Sequence, residues 1–345
     1  MRIILDGMGG DDPGEIVKGA AIASKLIDHE ICIIGDEEKI KESLSVHDHE
    51  PKNITIEHAS DIITGEDKPV HAIRHKKDSS IVKGLMHVRR GEADMMISAG
   101  NSGAFMTGAV LLIGRIAGVD RPALGAPYPY VSKKTVGLLI DAGANPEVRP
   151  ICLLYFGVMG SLYCDKVFGY TNPSVGLANM GTEPGKGSKT LQEAYGLLEL
   201  AKEQKGLNYV GNIEGRDIPL GIVDVIVCDG MTGNMILKMT EGIGISVLSL
   251  MKEHFMSSTR AKIGAMLLKP ALKEMKTAFN YNQYGGAPIL GVKAPLIKIH
   301  GSSTSEAVVN SMIKNVPYVE ENVIGEIEKA VEGLREIVGS QAEEE

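Results

Sequence analysis

The sequence predicts an α/β fold, with a mainly parallel sheet and helices on both faces. Short apolar runs alternate with helix-like stretches along the chain. Several of these runs end in a small polar turn that contains glycine and precedes a helix. The chain has 345 residues, of which 43% are hydrophobic and 23% charged, so it can bury a large core. We expect a single large α/β domain over residues 1–345, whole or divided into two lobes.

The apolar pattern predicts the individual elements in chain order. Strands are predicted at 2–5, 31–34, 54–56, 94–97, 136–140, 174–178 and 223–228, with two short strands within 289–299. Helices are predicted at 14–27, 78–89, 103–117, 188–203, 233–253, 302–314 and 322–337. The stretch 250–285 is rich in Met, Lys and Leu and contains Pro270, and we expect it to form a helical excursion.

Composition excludes several classes of protein. The net charge of −8, the aromatic content of 4% and the lack of Trp argue against a nucleic-acid partner. The four cysteines are far apart without CxxC spacing, which is typical of buried reduced thiols. No signal-peptide pattern and no apolar run of about 20 residues is present, so we expect a cytoplasmic protein.

Four glycine turns are candidates for a site that binds an anion. They lie at 6–11, 98–103, 179–187 and 229–234, each after an apolar run. Free N–H groups at a helix start attract an anion, and glycine lets the backbone approach it closely. Because the carboxyl ends of parallel strands meet at one edge of a sheet, the four turns are predicted to form one phosphate-type site.

The spacing of these turns does not match the nucleotide-binding motifs. A P-loop needs four residues between its glycines, but three separate Gly181 from Gly185, and Gly187 follows Lys186. The first turn has Asp where the last glycine of a dinucleotide fingerprint belongs. The G-x-S-x-G elbow and the HExxH metal motif are both absent, and no metal site is predicted.

Taken together, the motifs resemble the PlsX family of phosphate acyltransferases. The resemblance covers nearly the whole chain and keeps the order of the motifs. The matching blocks are 5–11, 76–80, 98–104, 119–123, 141–145, 185–187, 211–217, 228–230, 233–234, 284–288 and 300–303.

The resemblance implies transfer of a long-chain acyl group from acyl carrier protein to inorganic phosphate. The product would be acyl-phosphate for bacterial phospholipid synthesis. The resemblance also implies a homodimer with a fold similar to isocitrate and isopropylmalate dehydrogenases, but with no cofactor. Peripheral contact with the inner face of the cell membrane is a further implication.

Two residues are the predicted catalytic pair. Lys186 is expected to neutralise the phosphate charge and Asn234 to polarise or position the thioester carbonyl, since both match positions that the family emphasises. Phosphate is itself a nucleophile, so no covalent acyl-enzyme is needed. The further residues predicted to bind substrate are Asp6, Gly9, Gly10, Asn101, Ser102, Asn179, Gly185, Gly187, Asn212, Asp229 and His300.

The segment 252–276 is a second candidate region because it carries excess basic charge on an acidic chain. It is predicted to contact the carrier protein or a membrane through Arg260, Lys262, Lys269 and Lys273. An ordinary surface helix is the alternative. For the whole chain, the open alternatives are a short-chain phosphotransacylase that uses coenzyme A, a cofactor-dependent dehydrogenase of the same fold, and a non-catalytic membrane-associated scaffold.

Overall fold

The computed structural model describes residues 1–48, 51–131, 135–278 and 281–342, and within them eleven strands form one sheet. The order of the strands is β3-β2-β1-β4-β11-β10-β5-β6-β9-β7-β8. Their bounds are β1 Arg2–Asp6, β2 Glu30–Gly35, β3 Ile54–His58, β4 Met95–Ser98, β5 Ala123–Pro129, β6 Val136–Ile140, β7 Val175–Asn179, β8 Tyr209–Glu214, β9 Val225–Val227, β10 Ala287–Leu290 and β11 Leu296–Lys298.

Helices pack on both faces of this sheet, as the sequence predicts. Side chains of Ser, Asp or Asn cap the starts of α1, α2, α4, α5, α7 and α8. The bounds are α1 Pro13–Ala23, α2 Glu37–Ser45, α3 Pro69–His75, α4 Ser80–Arg89, α5 Ser102–Gly108, α6 Pro150–Lys166, α7 Lys189–Lys205, α8 Gly230–Met256, α9 Thr259–Ala278, α10 Ser305–Lys314, α11 Val316–Glu320 and α12 Val323–Ala342.

The core is divided by the sheet, because neighbouring residues of a strand point to opposite faces. In β1, Ile3 packs with the cluster that contains α1, α6, α7, α10 and α12, whereas Ile4 packs with α3, α4 and α5. In β6, Leu138 belongs to the first cluster and Leu139 to a third one beside α8. This double-sided burial confirms the predicted fold class.

The two parallel halves of the sheet run in opposite directions. β3, β2, β1, β4 and β11 are parallel to one another, as are β6, β9, β7 and β8. Between the halves lie β10 and β5, and the three successive pairings of β11 with β10, β10 with β5 and β5 with β6 are antiparallel. The carboxyl ends of β1 and β4 therefore point opposite to those of β7 and β9, and the prediction that all four turns share one sheet edge is wrong.

The sequence predictions miss β5, β8, α2, α3, α6 and α11, and for two of these the reason is identifiable. β5 contains Pro127 and Pro129, and proline is unusual within a strand. Helix α6 is buried on nearly every side, so it lacks the polar face on which a helical period is visible. Helix α9 continues through Pro270, which the sequence treats as an interruption. Proline has no N–H, so one backbone carbonyl of the preceding turn lacks its usual donor. Because α9 is exposed there, that carbonyl can accept a hydrogen bond from water.

Two further expectations concern the thiols and the membrane. All four cysteines are buried and free, as predicted. Among the residues that the structure describes, no helix combines the length and the apolar character needed to cross a bilayer.

Candidate active site

A cleft of about 740 Å³ lies where the two halves of the sheet meet. The first half contributes the turns that follow β1, β4 and β11. The second half contributes the turn after β6 and the first turns of α8, and β5 lies between them. The predicted site residues that line this cleft are Gly9, Gly10, Asn101, Ser102, Asn234 and His300.

Asp6 holds the first two glycine turns together. It is only 1% exposed, and its carboxylate accepts hydrogen bonds from the hydroxyls of Ser80 at 2.7 Å and Ser98 at 2.6 Å. The turns touch so closely that a Cβ at Gly9 would lie 2.5 Å from the amide nitrogen of Gly100. Both oxygens of Asp6 are used inside the protein, so this carboxylate positions the wall of the cleft.

Asn101 fixes the start of α5. Its Oδ1 accepts a hydrogen bond from the Ala104 N–H at 3.0 Å, and its Nδ2 donates to the Thr64 carbonyl at 2.8 Å. The amide is therefore engaged in capping the helix and in holding the neighbouring loop. Ser102, the next residue, is exposed at the cleft and can offer its hydroxyl there.

His300 is oriented by the turn that follows β11. The Ser302 N–H donates to its Nδ1 at 3.1 Å, so the neutral ring carries its proton on Nε2 and can act as a donor there. Desolvation and the nearby Lys238 lower the pKa of His300, which favours this neutral form.

The opposite wall depends on the buried Asp141. Its carboxylate accepts five hydrogen bonds of 2.7–3.1 Å, from four backbone N–H groups and from the side-chain amide of Asn145. This holds the turn after β6 against α8, where a Cβ at Gly233 would lie 1.9 Å from the Asp141 carbonyl oxygen. Asn234 is the next residue, and its Cβ is 3.4 Å from the position that a Cβ of Gly143 would take.

The remaining predicted residues do not line the cleft. The loop after β7 is held by its own contacts, since Asn179 donates to the Lys186 carbonyl at 3.1 Å and Asn212 donates to the Glu183 carbonyl at 2.9 Å. Asp229 caps α8 by accepting from the Thr232 N–H at 2.8 Å. The residues outside the lining are Asp6, Asn179, Gly185, Lys186, Gly187, Asn212 and Asp229.

The Lys186 loop nevertheless leaves the sheet beside α8. β7 and β9 are parallel neighbours with Leu177 aligned with Val227, so the turns that follow them emerge side by side. The side chain of Lys186 is exposed there. The loops that carry Lys186 and Asn234, the two predicted catalytic residues, therefore follow neighbouring parallel strands.

The sequence missed two charged groups of the site. Asp141 lies in a recognised motif, but nothing in its neighbours indicates that it accepts five hydrogen bonds. Lys298 lies within the apolar run of β11, is 8% exposed and lines the cleft. Its only local signal is its position just before the His300 turn.

The second predicted region is the hairpin of α8 and α9, which we call the α8–α9 hairpin. Arg260, Lys262 and Lys269 are exposed on α9, whereas the side chain of Lys273 lies outside the described residues. Large apolar side chains are exposed alongside them. They are Met231, Met235, Met239, Ile243, Ile245, Val247, Leu250, Met256, Ile263, Met266, Leu267 and Leu268.

The chain is similar to known proteins over nearly its full length. Residues 1–326 match the family model described as fatty acid synthesis protein. A phosphate acyltransferase of Alkaliphilus oremlandii is 48% identical over 97% of this chain and 98% of its own. One from Acetivibrio thermocellus is 45% identical over 95% of each chain.

Solved structures support the fold. A phosphotransacetylase from Streptococcus pyogenes has a TM-score of 0.63 at 15% identity and covers 93% of this chain and 94% of its own. EutD phosphotransacetylase from Staphylococcus aureus has a TM-score of 0.60 at 18% identity, covering 92% and 94%. At such identities the likeness concerns the architecture alone.

Proposed function

This chain belongs to the fatty acid synthesis protein family, and we propose that it is an enzyme that transfers an acyl group to inorganic phosphate. The observation that carries this proposal is the match of nearly the whole chain to relatives named phosphate acyltransferase. The cleft supports it, since a two-substrate acyl transfer needs a space that accepts both an anion and an apolar chain.

The proposed acyl donor is a long-chain thioester of acyl carrier protein, and the product would serve phospholipid synthesis. Leu124, Leu237 and Ile63 give part of the cleft an apolar lining suited to an acyl chain. The glycine turns of the first half provide a polar end for phosphate. The two chemical needs of the reaction are thereby met at different parts of one cleft.

All the atoms that form or break bonds in this reaction belong to the two substrates. An oxygen of hydrogen phosphate attacks the thioester carbonyl carbon, so a C–O bond forms and the C–S bond breaks. The leaving sulfur takes the electron pair of that bond together with the proton that hydrogen phosphate loses. The protein's task is to align the substrates and to stabilise the oxyanion of the tetrahedral intermediate.

Asn234 and Lys186 are the proposed catalytic residues. Asn234 lines the cleft at the start of α8, where its side-chain amide can donate to the developing oxyanion. A donor of this kind contributes about 2.7–4 kcal/mol to lowering the barrier. Lys186, on the neighbouring loop, is proposed to neutralise phosphate charge as the acyl group arrives.

The α8–α9 hairpin is the proposed contact with the carrier protein and with the inner face of the membrane. Exposed lysine and arginine beside exposed Met and Leu suit a surface that is both anionic and apolar. We also propose a homodimer, to be measured by light scattering coupled to size-exclusion chromatography. The protein would then be cytoplasmic, with peripheral attachment.

The deciding assay incubates the purified chain with palmitoyl-acyl carrier protein and phosphate and traps acyl-phosphate with hydroxylamine. We expect hydroxamate that depends on both phosphate and protein. Product from acetyl-coenzyme A alone would favour a short-chain phosphotransacylase, and the lack of any phosphate-dependent product would overturn the proposal. Reduction of a nicotinamide cofactor would instead indicate a dehydrogenase.

A further inference from the structure

Lys298 is a buried cation at the polar end of the cleft. It ends β11 and is aligned with Ser98 of β4, whose hydroxyl donates to Asp6. Its neighbours Ile297 and Ile299 pack into the core on one face of the sheet, so Lys298 points to the other face, where the cleft opens. Its side chain is 8% exposed.

The charge of this ammonium group is only partly compensated. One of its N–H groups donates to the Ile299 carbonyl oxygen, and among the described residues it forms no ion pair. Asp6 and Asp11 act on it through space, but the oxygens of Asp6 are already held by Ser80 and Ser98. A lysine ammonium has three donors, so two remain for a ligand in the cleft.

The other lysine of the cleft differs in this respect. Lys238 lies on the α8 side, is well exposed and pairs with Glu241 at 2.8 Å. Its charge is therefore balanced within the protein. A small anion that enters the cleft meets in Lys298 a cation without a carboxylate of its own.

The wall next to Lys298 is made of backbone. Gly10 has a φ of 84°, and a Cβ there would lie 2.8 Å from the Gly301 carbonyl oxygen. The Asp11 N–H donates to this carbonyl at 2.8 Å, which ties the turn after β1 to the turn after β11. Glycine at position 10 lets the two turns pack directly against each other, so the backbone of both turns lines the cleft together with Lys298.

We propose that Lys298 binds the phosphate substrate in the cleft. The inference rests on the proposed function and names a residue for it that the sequence analysis does not. Lys298 acts as a cation and transfers no proton in the reaction. It holds phosphate by charge-assisted hydrogen bonds, while Asn234 acts on the thioester carbonyl and Lys186 neutralises phosphate charge as the acyl group arrives.

The pH dependence of phosphate binding gives this role a distinct signature. Burial lowers the pKa of Lys298 to about 8, although Asp6 and Asp11 raise it in part. The cation is present below this pH and is lost above it. Phosphate is already a dianion in that range, so its own ionisation does not weaken binding there. Affinity for phosphate should therefore fall as the pH rises through about 8.

The test measures the KM for phosphate at saturating palmitoyl-acyl carrier protein in Lys298→Met and Lys298→Arg. We expect Lys298→Met to raise this KM roughly tenfold or more, with the KM for the acyl donor unchanged. Lys298→Arg should retain phosphate binding and lose the decline above pH 8, because arginine stays protonated. Lys202→Met, an exposed lysine paired with Glu199 on α7, is the control for loss of a charge.

Two results would overturn the inference. One is a KM for phosphate in Lys298→Met within twofold of the wild type, and the other is an unchanged alkaline decline in Lys298→Arg. If Lys298→Met does not fold, the pH profile of Lys298→Arg decides. If the wild type makes no acyl-phosphate, the proposed function fails, and calorimetric titration of the wild type and Lys298→Met with inorganic phosphate still tests the site.

Discussion

The cleft and the α8–α9 hairpin depart from the usual burial of residues in opposite ways. The cleft buries charge, with Asp141 fully buried and Lys298 8% exposed. The hairpin exposes apolar surface, with Met266 75% and Leu267 78% exposed. Both arrangements cost free energy in the isolated chain. Each is therefore a place where a ligand or partner is expected, and the chemistry of the two occupants should differ.

The largest effect on stability is expected in the cleft wall. Asp141→Ala removes a fully buried acceptor and leaves its five partly buried donors without it, and the free energy of unfolding should fall by about 3–5 kcal/mol. Urea denaturation followed by circular dichroism measures the change.

Asp229→Ala is the matched control, since Asp229 also follows a strand but only caps α8. It should cost about 1 kcal/mol. Equal losses in the two variants would mean that the Asp141 network contributes no more to stability than a single helix cap. The cleft wall would then not differ from the hairpin by a strongly stabilising buried charge.

The next effect is on catalysis rather than on stability. Asn234→Ala should lower kcat by about 10²–10³, because the amide acts only as the oxyanion develops. The Asn234 side chain is exposed at the cleft, so the melting temperature should stay near that of the wild type. Stopped-assay hydroxamate formation and a thermal melt measure the two quantities.

Lys186→Ala extends the kcat measurement to a predicted catalytic residue that does not line the cleft. A similar loss of kcat would indicate that its loop acts together with α8 during turnover. Wild-type turnover in either variant removes that residue from the proposed mechanism.

The smallest effect on stability is expected in the hairpin. Leu267→Glu and the control Val46→Glu replace residues that are 78% and 75% exposed, and each should change the free energy of unfolding by less than about 0.5 kcal/mol. Only Leu267→Glu should weaken co-sedimentation with vesicles that contain anionic lipid.

Charge reversal on α9 tests the electrostatic part of this contact separately from the apolar part. The double variant Lys262→Glu and Lys269→Glu should lose binding to anionic vesicles and to carrier protein, and more so at low salt. Unchanged binding would make α9 an ordinary surface helix. A change of oligomeric state in Leu267→Glu would instead assign the apolar surface to a contact between two copies of the chain.

The sequence predicts well those features that depend on adjacent residues, and it misses those that depend on contacts between distant parts of the chain. β6 lies at its predicted residues, and β1, β4 and β7 lie within one residue of theirs, because a short continuous apolar run is a property of adjacent residues in the chain. Residue type and turn position single out Gly9, Gly10, Asn101, Ser102, Asn234 and His300, with the family resemblance as a further reason for Asn234, and the structure places all of them in the cleft.

What the sequence by itself determined is the fold class, the glycine turns and the family. The tertiary structure decided that the two halves of the sheet run in opposite directions, that Asp141 accepts five hydrogen bonds, and that Lys298 is a buried cation. The reason is physical. Local periodicity is encoded by adjacent residues, whereas the environment of Lys298 comes from β4 and from the turn after β1, which are far from it in the sequence.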